Sequence, residues 1–251
     1  MCGIRGFFAS GTETRTEGYY AAHRLLSHRG PDDEGFLAES DGRIVRLRGD
    51  DTAAELGELP HVCELTAARV LLGHRRLSIL DLTVAGHQPL IDPGERHAIV
   101  YNGEVFNYIE LRQELERSGH MFATDTDTEV VLAAYAEWGT DCFRRFNGMW
   151  ALALWDRTDD SLILARDPFG IKPLYYMTSG DVVSFASEMK FLLGFASGRF
   201  RLNESRIADY LHRMRINHTD ETFWAGILEV RPGTWTRFHG GRIDSETYWT
   251  F

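Results

Sequence analysis

The residue with the most chemistry to offer is Cys2. Small residues at position 2 permit removal of the initiator methionine, and cysteine is small, so processing leaves a thiol and a free α-amino group on one residue. An α-amino group titrates at about 7.7 to 8.0 and a thiol at about 8.5, so at neutral pH the amine can accept the thiol proton. Nucleophile and base then come together without a histidine, whereas a retained Met1 would acylate that amine. Cys63 and Cys142 bring the cysteine total to 3, an odd number without Cys-x-x-Cys spacing, so neither a disulfide framework nor a zinc ribbon is indicated. Both are read as unpaired structural thiols.

A strand has to present such a nucleophile, and the alternation from Cys2 to Ala9 predicts one with position 2 at its very beginning. Strand character returns at Val70–Ile79 and at His97–Tyr101, each run ending in polar residues, the second in Asn102-Gly103-Glu104. By itself Asn-Gly reads as a type I′ hairpin turn. Helices are predicted at Glu17–Ser27, at Tyr108–Ser118 stopped by Gly119, at Thr128–Trp138 stopped by Gly139 with Thr126 or Asp127 as N-cap, and at Ser205–Met214. Asp41-Gly42 predicts a hairpin between Gly35–Leu37 and Ile44–Leu47, and Gly240-Gly241 another near the end. The run Met149–Trp155 is apolar on both faces and so must be covered on both sides. Strands are also expected at Leu162–Ala165, Leu174–Met177 and Val182–Ala186, while residues 48–65 read as an acidic surface excursion.

Composition bounds the partners. The 251 residues are 43% hydrophobic and 25% charged, which is ordinary for a globular protein, and the net charge of −10 argues against a dedicated nucleic-acid or anionic-membrane binder. No apolar run approaches the roughly 20 residues of a bilayer span, and the start lacks the long apolar core of a secretory signal, so a cytoplasmic protein is expected.

Several ordered strings carry a resemblance. Cys2-Gly3-Ile4 with Gly6, His28-Arg29-Gly30-Pro31-Asp32, Gly73-His74-Arg75-Arg76-Leu77-Ser78-Ile79 and Tyr101-Asn102-Gly103-Glu104 with Asn107 resemble class II glutamine amidotransferases, in their asparagine synthetase branch. The likeness continues through Thr126-Asp127-Thr128-Glu129, Asn147-Gly148-Met149, Arg166–Tyr175 and Ser187-Glu188-Met189-Lys190, nearly the whole chain in order.

The resemblance implies an α+β fold, a four-layer αββα sandwich of two antiparallel sheets of the N-terminal-nucleophile hydrolase type. It implies that Cys2 attacks the carboxamide of glutamine, releasing ammonia and leaving a γ-glutamyl thioester that water hydrolyses to glutamate. Asn102 through its side-chain amide and Gly103 through its backbone N–H match the donors to the oxyanion, a service worth about 3 to 4 kcal/mol. Glutamine carries a carboxylate and an ammonium at its α-carbon; Arg76 matches the partner of the first and Asp127 that of the second. Glu104 is implied as a further contact to the amino end, and Leu77 and Ile79 as pocket wall. His28–Asp32 is assigned to shaping the pocket. Lys172 and Glu188 receive no catalytic role and fit a structural ion pair or an interdomain contact.

By the same resemblance residues 2–200 form the glutaminase domain and 201–251 its C-terminal extension, leading to an ATP-pyrophosphatase synthetase domain. Such a domain carries a Ser-Gly-Gly-x-Asp-Ser loop, for which this chain offers only Thr178-Ser179-Gly180-Asp181, so a fragment of a longer protein is expected. No cofactor or metal is expected in residues 1–251; ATP and magnesium belong to the synthetase domain. Glutamine and that domain are the expected partners, with a homodimer left open and aspartate or another carboxylate as ammonia acceptor. Two alternatives stay open at this level: a non-catalytic glutamine-sensing or regulatory module, and an N-terminal-cysteine hydrolase acting on another amide.

Overall fold

The computed structural model describes residues 1–79, 83–196 and 200–250. The chain begins with β1 (Gly3–Ala9) and β2 (Thr14–Arg15), turns through α1 (Tyr19–Arg24), and continues as the hairpin β3 (Asp33–Ser40) and β4 (Arg43–Leu47). Next come β5 (Ala67–Ala68), β6 (Val70–Arg76), β7 (Leu90–Ile91) and β8 (His97–Val105), then α2 (Tyr108–Arg117) and α3 (Asp127–Trp138). β9 (Gly148–Asp156), β10 (Ser161–Arg166), β11 (Tyr175–Ser179) and β12 (Val182–Ala186) lead to α4 (Met189–Phe195) and α5 (Glu204–Arg213). The last strands are β13 (Leu228–Glu229), β14 (Thr234–His239) and β15 (Arg242–Thr247).

Period-2 alternation sorts these strands into layers. One sheet runs β13-β11-β12-β1-β6-β3-β4 and the other β15-β14-β10-β9-β8-β7, with antiparallel neighbours throughout. Ile4, Phe8, Val70 and Leu72 of the first sheet meet Ala98, Val100, Ala153 and Trp155 of the second in the central core. Their sequence neighbours point outward: Phe7 and Leu71 pack under α1 and α4, while Trp150, Leu152 and Leu154 pack under α2 and α3. The result is the expected αββα sandwich, and β9 is apolar on both faces because each face meets a core. Strands drawn from residues 228–247 join both sheets.

Some boundaries differ from expectation. The strand expected to reach Ile79 ends at Arg76, because Leu77 leaves the ladder to bond the thiol of Cys2. The helix expected over Glu17–Ser27 is only Tyr19–Arg24, followed by a 3-10 turn at Ser27–Arg29. Asn102-Gly103 is not a turn but lies inside β8. A Cβ on Gly103 would come within 2.4 Å of the Met149 carbonyl oxygen and 2.5 Å of Trp150 Cα, so glycine serves close strand approach here.

Beneath α1, on the outer face of the first sheet, lies a buried polar cluster. Glu34 accepts from Arg75 Nη1 at 2.7 Å, from Tyr20 at 3.0 Å and from His23, whose other ring nitrogen faces Arg5. Arg5 in turn holds the Gly3 carbonyl at 2.8 Å and Arg75 the Gly30 carbonyl at 2.8 Å, so the cluster anchors the start of β1 and the chain at Gly30. Removing one member of such a group strands buried charge, and Glu34→Ala is expected to cost about 3 to 5 kcal/mol in denaturant unfolding. Burial and the Arg5 cation push His23 down to about 3 from 6.5. Between those values the unfolded chain binds a proton that the folded chain refuses, so stability falls as the pH drops through that window. Glu34, held low by His23 and Arg75 against the upward push of burial, adds the same sign below its ordinary 4.5.

Candidate active site

The apolar inner faces do not stay apolar to the end of the sandwich. The face of β1 that carries Ile4 carries Cys2 one pleat earlier, the Val70-Leu72 face of β6 continues as His74 and Arg76, and the Ala98-Val100 face of β8 continues as Asn102 and Glu104. Alternation alone thus brings a thiol, a guanidinium, an amide and a carboxylate to one end of the seam between the sheets. His74 closes the floor beneath them, donating from Nε2 to the Tyr101 carbonyl at 3.0 Å across the two sheets.

A cavity of about 150 Å³ opens there. Every residue that the sequence nominated lines it: Cys2, Arg76, Leu77, Ile79, Asn102, Gly103, Glu104 and Asp127. Met1 stands at the same wall, so its departure would free the amine of Cys2 and widen the cavity. The Cys2 sulfur accepts the Leu77 N–H at 3.4 Å and lies 3.6 Å from the Leu77 carbonyl oxygen, while Arg29 Nε fixes the Cys2 carbonyl at 3.0 Å. Arg29 is itself held by Glu188 at 2.8 Å, which assigns Glu188 the structural ion pair. Burial pushes the thiol up, opposed by the Leu77 N–H, the chain's amino terminus, Arg76 and Lys172.

The open edge of β8 supplies donors. Opposite Gly103, Trp150 spends its N–H and its carbonyl on Asp167, away from β8, so Gly103 sits in a wide pair and its N–H points off the other edge. Its same-side neighbours confirm that direction: Tyr101 N–H donates to Gln88 Oε1 at 2.7 Å and Val105 N–H to Asp127 Oδ2 at 3.0 Å. β7 covers β8 only at Ala98 and Ile99, which leaves this stretch facing the cavity. Asn102 is 1% exposed, and its Nδ2 has no hydrogen-bond partner among the described residues. An orphaned buried donor of this kind is costly unless a guest satisfies it.

Charge is arranged by sign. Asp127 is the first residue of α3, capped by Thr126 through Glu129 N–H, and accepts from Tyr101 Oη at 2.9 Å. Burial pushes its carboxyl up and Glu104 adds to this, against the Val105 and Tyr101 hydrogen bonds. Two carboxylates that disfavour each other's charge make a place for an ammonium. Arg76, 7% exposed, reaches the Thr83 carbonyl at 2.7 Å and packs against Gly86. Ile79, 62% exposed, forms the rim. Gln88, which pattern reading did not nominate, ties β8 to α3 by also donating to Thr128 Oγ1 at 3.2 Å. It sits in an irregular connection where no periodicity marks it. Among the described residues no group of His, Cys, Asp and Glu is arranged to hold a metal ion.

A four-layer sandwich that brings a chain-start cysteine to the mouth of its sheet seam defines an N-terminal-nucleophile amidotransferase fold. Comparison places the chain within that class: the model of a glutamine amidotransferase domain matches residues 60–249, and the chain belongs to this family. It is 35% identical over 253 residues to asparagine synthetase [glutamine-hydrolyzing] 1 of Bacillus subtilis, covering 99% of this chain and 35% of that protein. A putative asparagine synthetase [glutamine-hydrolyzing] 2 of Methanocaldococcus jannaschii is 34% identical over 77% of this chain and 35% of its own length. The chain therefore spans about a third of these curated relatives. Among solved structures, the glutamine phosphoribosylpyrophosphate amidotransferase of B. subtilis shares the fold at a TM-score of 0.72 and 22% identity, over all of this chain and 50% of that one. No helix among the described residues is long and apolar enough to cross a membrane.

Proposed function

We propose that this chain is the glutaminase half of a glutamine-dependent, asparagine synthetase-like amidotransferase. The observation that carries the reading is the buried, unpartnered Asn102 Nδ2–H in the cavity that holds the Cys2 thiol. In the reaction, the freed α-amine takes the thiol proton and sulfur attacks the side-chain carbonyl carbon of glutamine, moving the C=O π pair onto oxygen. Asn102 Nδ2–H and Gly103 N–H donate to that oxyanion. When it collapses, the C–N bond breaks and the departing nitrogen leaves as ammonia with the proton that the amine held. Water, giving its proton to the same amine, then cleaves the thioester to glutamate.

The guest's ends are told apart by charge. Arg76 pairs with the α-carboxylate, Asp127 and Glu104 with the α-ammonium, and Leu77 and Ile79 wall the side chain. Arg76→Ala is expected to raise KM for glutamine about 10- to 100-fold with a much smaller change in kcat, since a charge-assisted contact to the α-carboxylate is made equally in ground and transition states. Steady-state glutamate release reads the split; an unchanged KM would point to another amide substrate.

Beyond these residues, ammonia would pass to a carboxylate activated by ATP and magnesium in a synthetase domain, with aspartate the first acceptor to try, in a cytoplasmic enzyme. The direct test is mass spectrometry after incubation with the glutamine-like electrophile diazo-oxo-norleucine. One adduct on a Cys2 peptide that begins at Cys2 supports the reading; an intact Met1 or an unlabelled Cys2 overturns it.

A further inference from the structure

One cation in the cavity is not used by the clamp. Lys172 is 8% exposed, lines the same cavity as Cys2, and its Nζ has no hydrogen bond or ion pair among the described residues. The alternative of a structural ion pair, open from the sequence, is therefore not realised. The side chain is enclosed while the ammonium is free to act on the cavity, and the loop that presents it is built to hold it there. The Asp167 carboxylate, fully buried, accepts N–H bonds from Phe169 at 3.0 Å, Ile171 at 3.0 Å and Lys172 at 3.1 Å, and from Trp150 of β9 at 3.1 Å. Arg166 Nε clamps the Lys172 carbonyl at 2.6 Å. Lys172 is thus stapled to the strand that lies opposite Gly103.

We propose, resting on the glutaminase reading, that Lys172 supplies the positive charge that stabilises the sulfur anion of Cys2, so that the proton passes from thiol to α-amine readily inside a cavity that otherwise resists charge. The charged and titratable groups that share the cavity with the sulfur are the amino-terminal residue Met1, Arg76 from β6 and Lys172 on the positive side, with Glu104 of β8, Asp127 of α3 and the Tyr101 phenol. Arg76 is committed to the Thr83 carbonyl and to the guest's carboxylate, which leaves Lys172 as the cation for the reacting atom. The downward electrostatic pull of Lys172 on the thiol has the sign this requires.

The experiment is alkylation of Cys2, followed by peptide mass spectrometry across pH, with iodoacetamide and with anionic iodoacetate; thiolate displaces iodide in both. In Lys172→Met and in Lys172→Gln the midpoint for Cys2 is expected to move to higher pH and the rate at pH 7.5 to fall about three- to tenfold, with iodoacetate losing more than iodoacetamide. Lys172→Arg should restore both. The exposed Cys63 in the same chain is the internal reference for an intact fold and should not change. An unmoved midpoint and an unmoved reagent ratio in both neutral variants would overturn the assignment. Because alkylation does not require glutamine, a chain that never turns over glutamine would refute the glutaminase reading and leave this result standing on its own.

Discussion

Cys2→Ala is expected to abolish glutamate release from glutamine, a loss on the order of 10⁴-fold or more, since no second thiol stands in the cavity among the described residues to replace the covalent step. The cavity wall offers carboxylates, amides, cations and the hydroxyls of Tyr101, Thr126 and Thr128, and Cys63 and Cys142 are not among its residues. The fold should survive the change, because Cys2 precedes β1 and Ile4, Phe7 and Phe8 supply the burial of that strand. A preparation that keeps Met1 should be equally inactive while still carrying the thiol, which separates loss of the base from loss of the nucleophile. Glutaminase assays on the two preparations, with intact-mass measurement of each, check this; turnover by the alanine variant would remove the proposed chemistry.

The second large effect concerns the oxyanion. Asn102→Ala is expected to lower kcat by about 10²- to 10³-fold with little change in KM, the signature of a donor used in the transition state. In the resting chain Nδ2 is buried with nothing to bond, so the substitution removes an unsatisfied group and should leave thermal stability unchanged or slightly raised. A merely structural asparagine would give the opposite pair of results, lower stability and near-normal turnover. Asn102→Asp, which places an acceptor where the oxyanion must form, should be at least as damaging as alanine.

The sandwich could be anticipated from residues such as Met149–Trp155, because a strand with no polar face needs a core on each side, and from Asp41-Gly42 and Gly240-Gly241, whose backbones turn as hairpins demand. Val182–Ala186 came out with its expected bounds. What short-range patterns misjudged was decided by distant partners. Asn102-Gly103 has the local chemistry of a tight turn, yet pairing with Ala151 and Trp150 keeps it extended. The strand from Val70 stops short of Ile79 because a thiol 75 positions away claims the Leu77 N–H. The nominated site residues converge on one cavity because they lie at or near the ends of β1, β6 and β8 and at the start of α3, a placement that ordered strings along the chain encode. Gln88 was not nominated and Lys172 was given no catalytic role, since both lie in connections whose paths only the assembled sheets define.

β7 is two residues long. Extended a few residues further beside β8, it would bring carbonyls to the N–H groups of Tyr101, Gly103 and Val105, and the cleft would heal into ordinary ladder. In the proposed reaction the oxyanion donor at Gly103 is an unfinished selvedge, a rung left vacant. The same shortness protects it: of the three exposed rungs two are already tied, to Gln88 and Asp127, so a stray strand from another molecule finds a single foothold and has no length along which to zip.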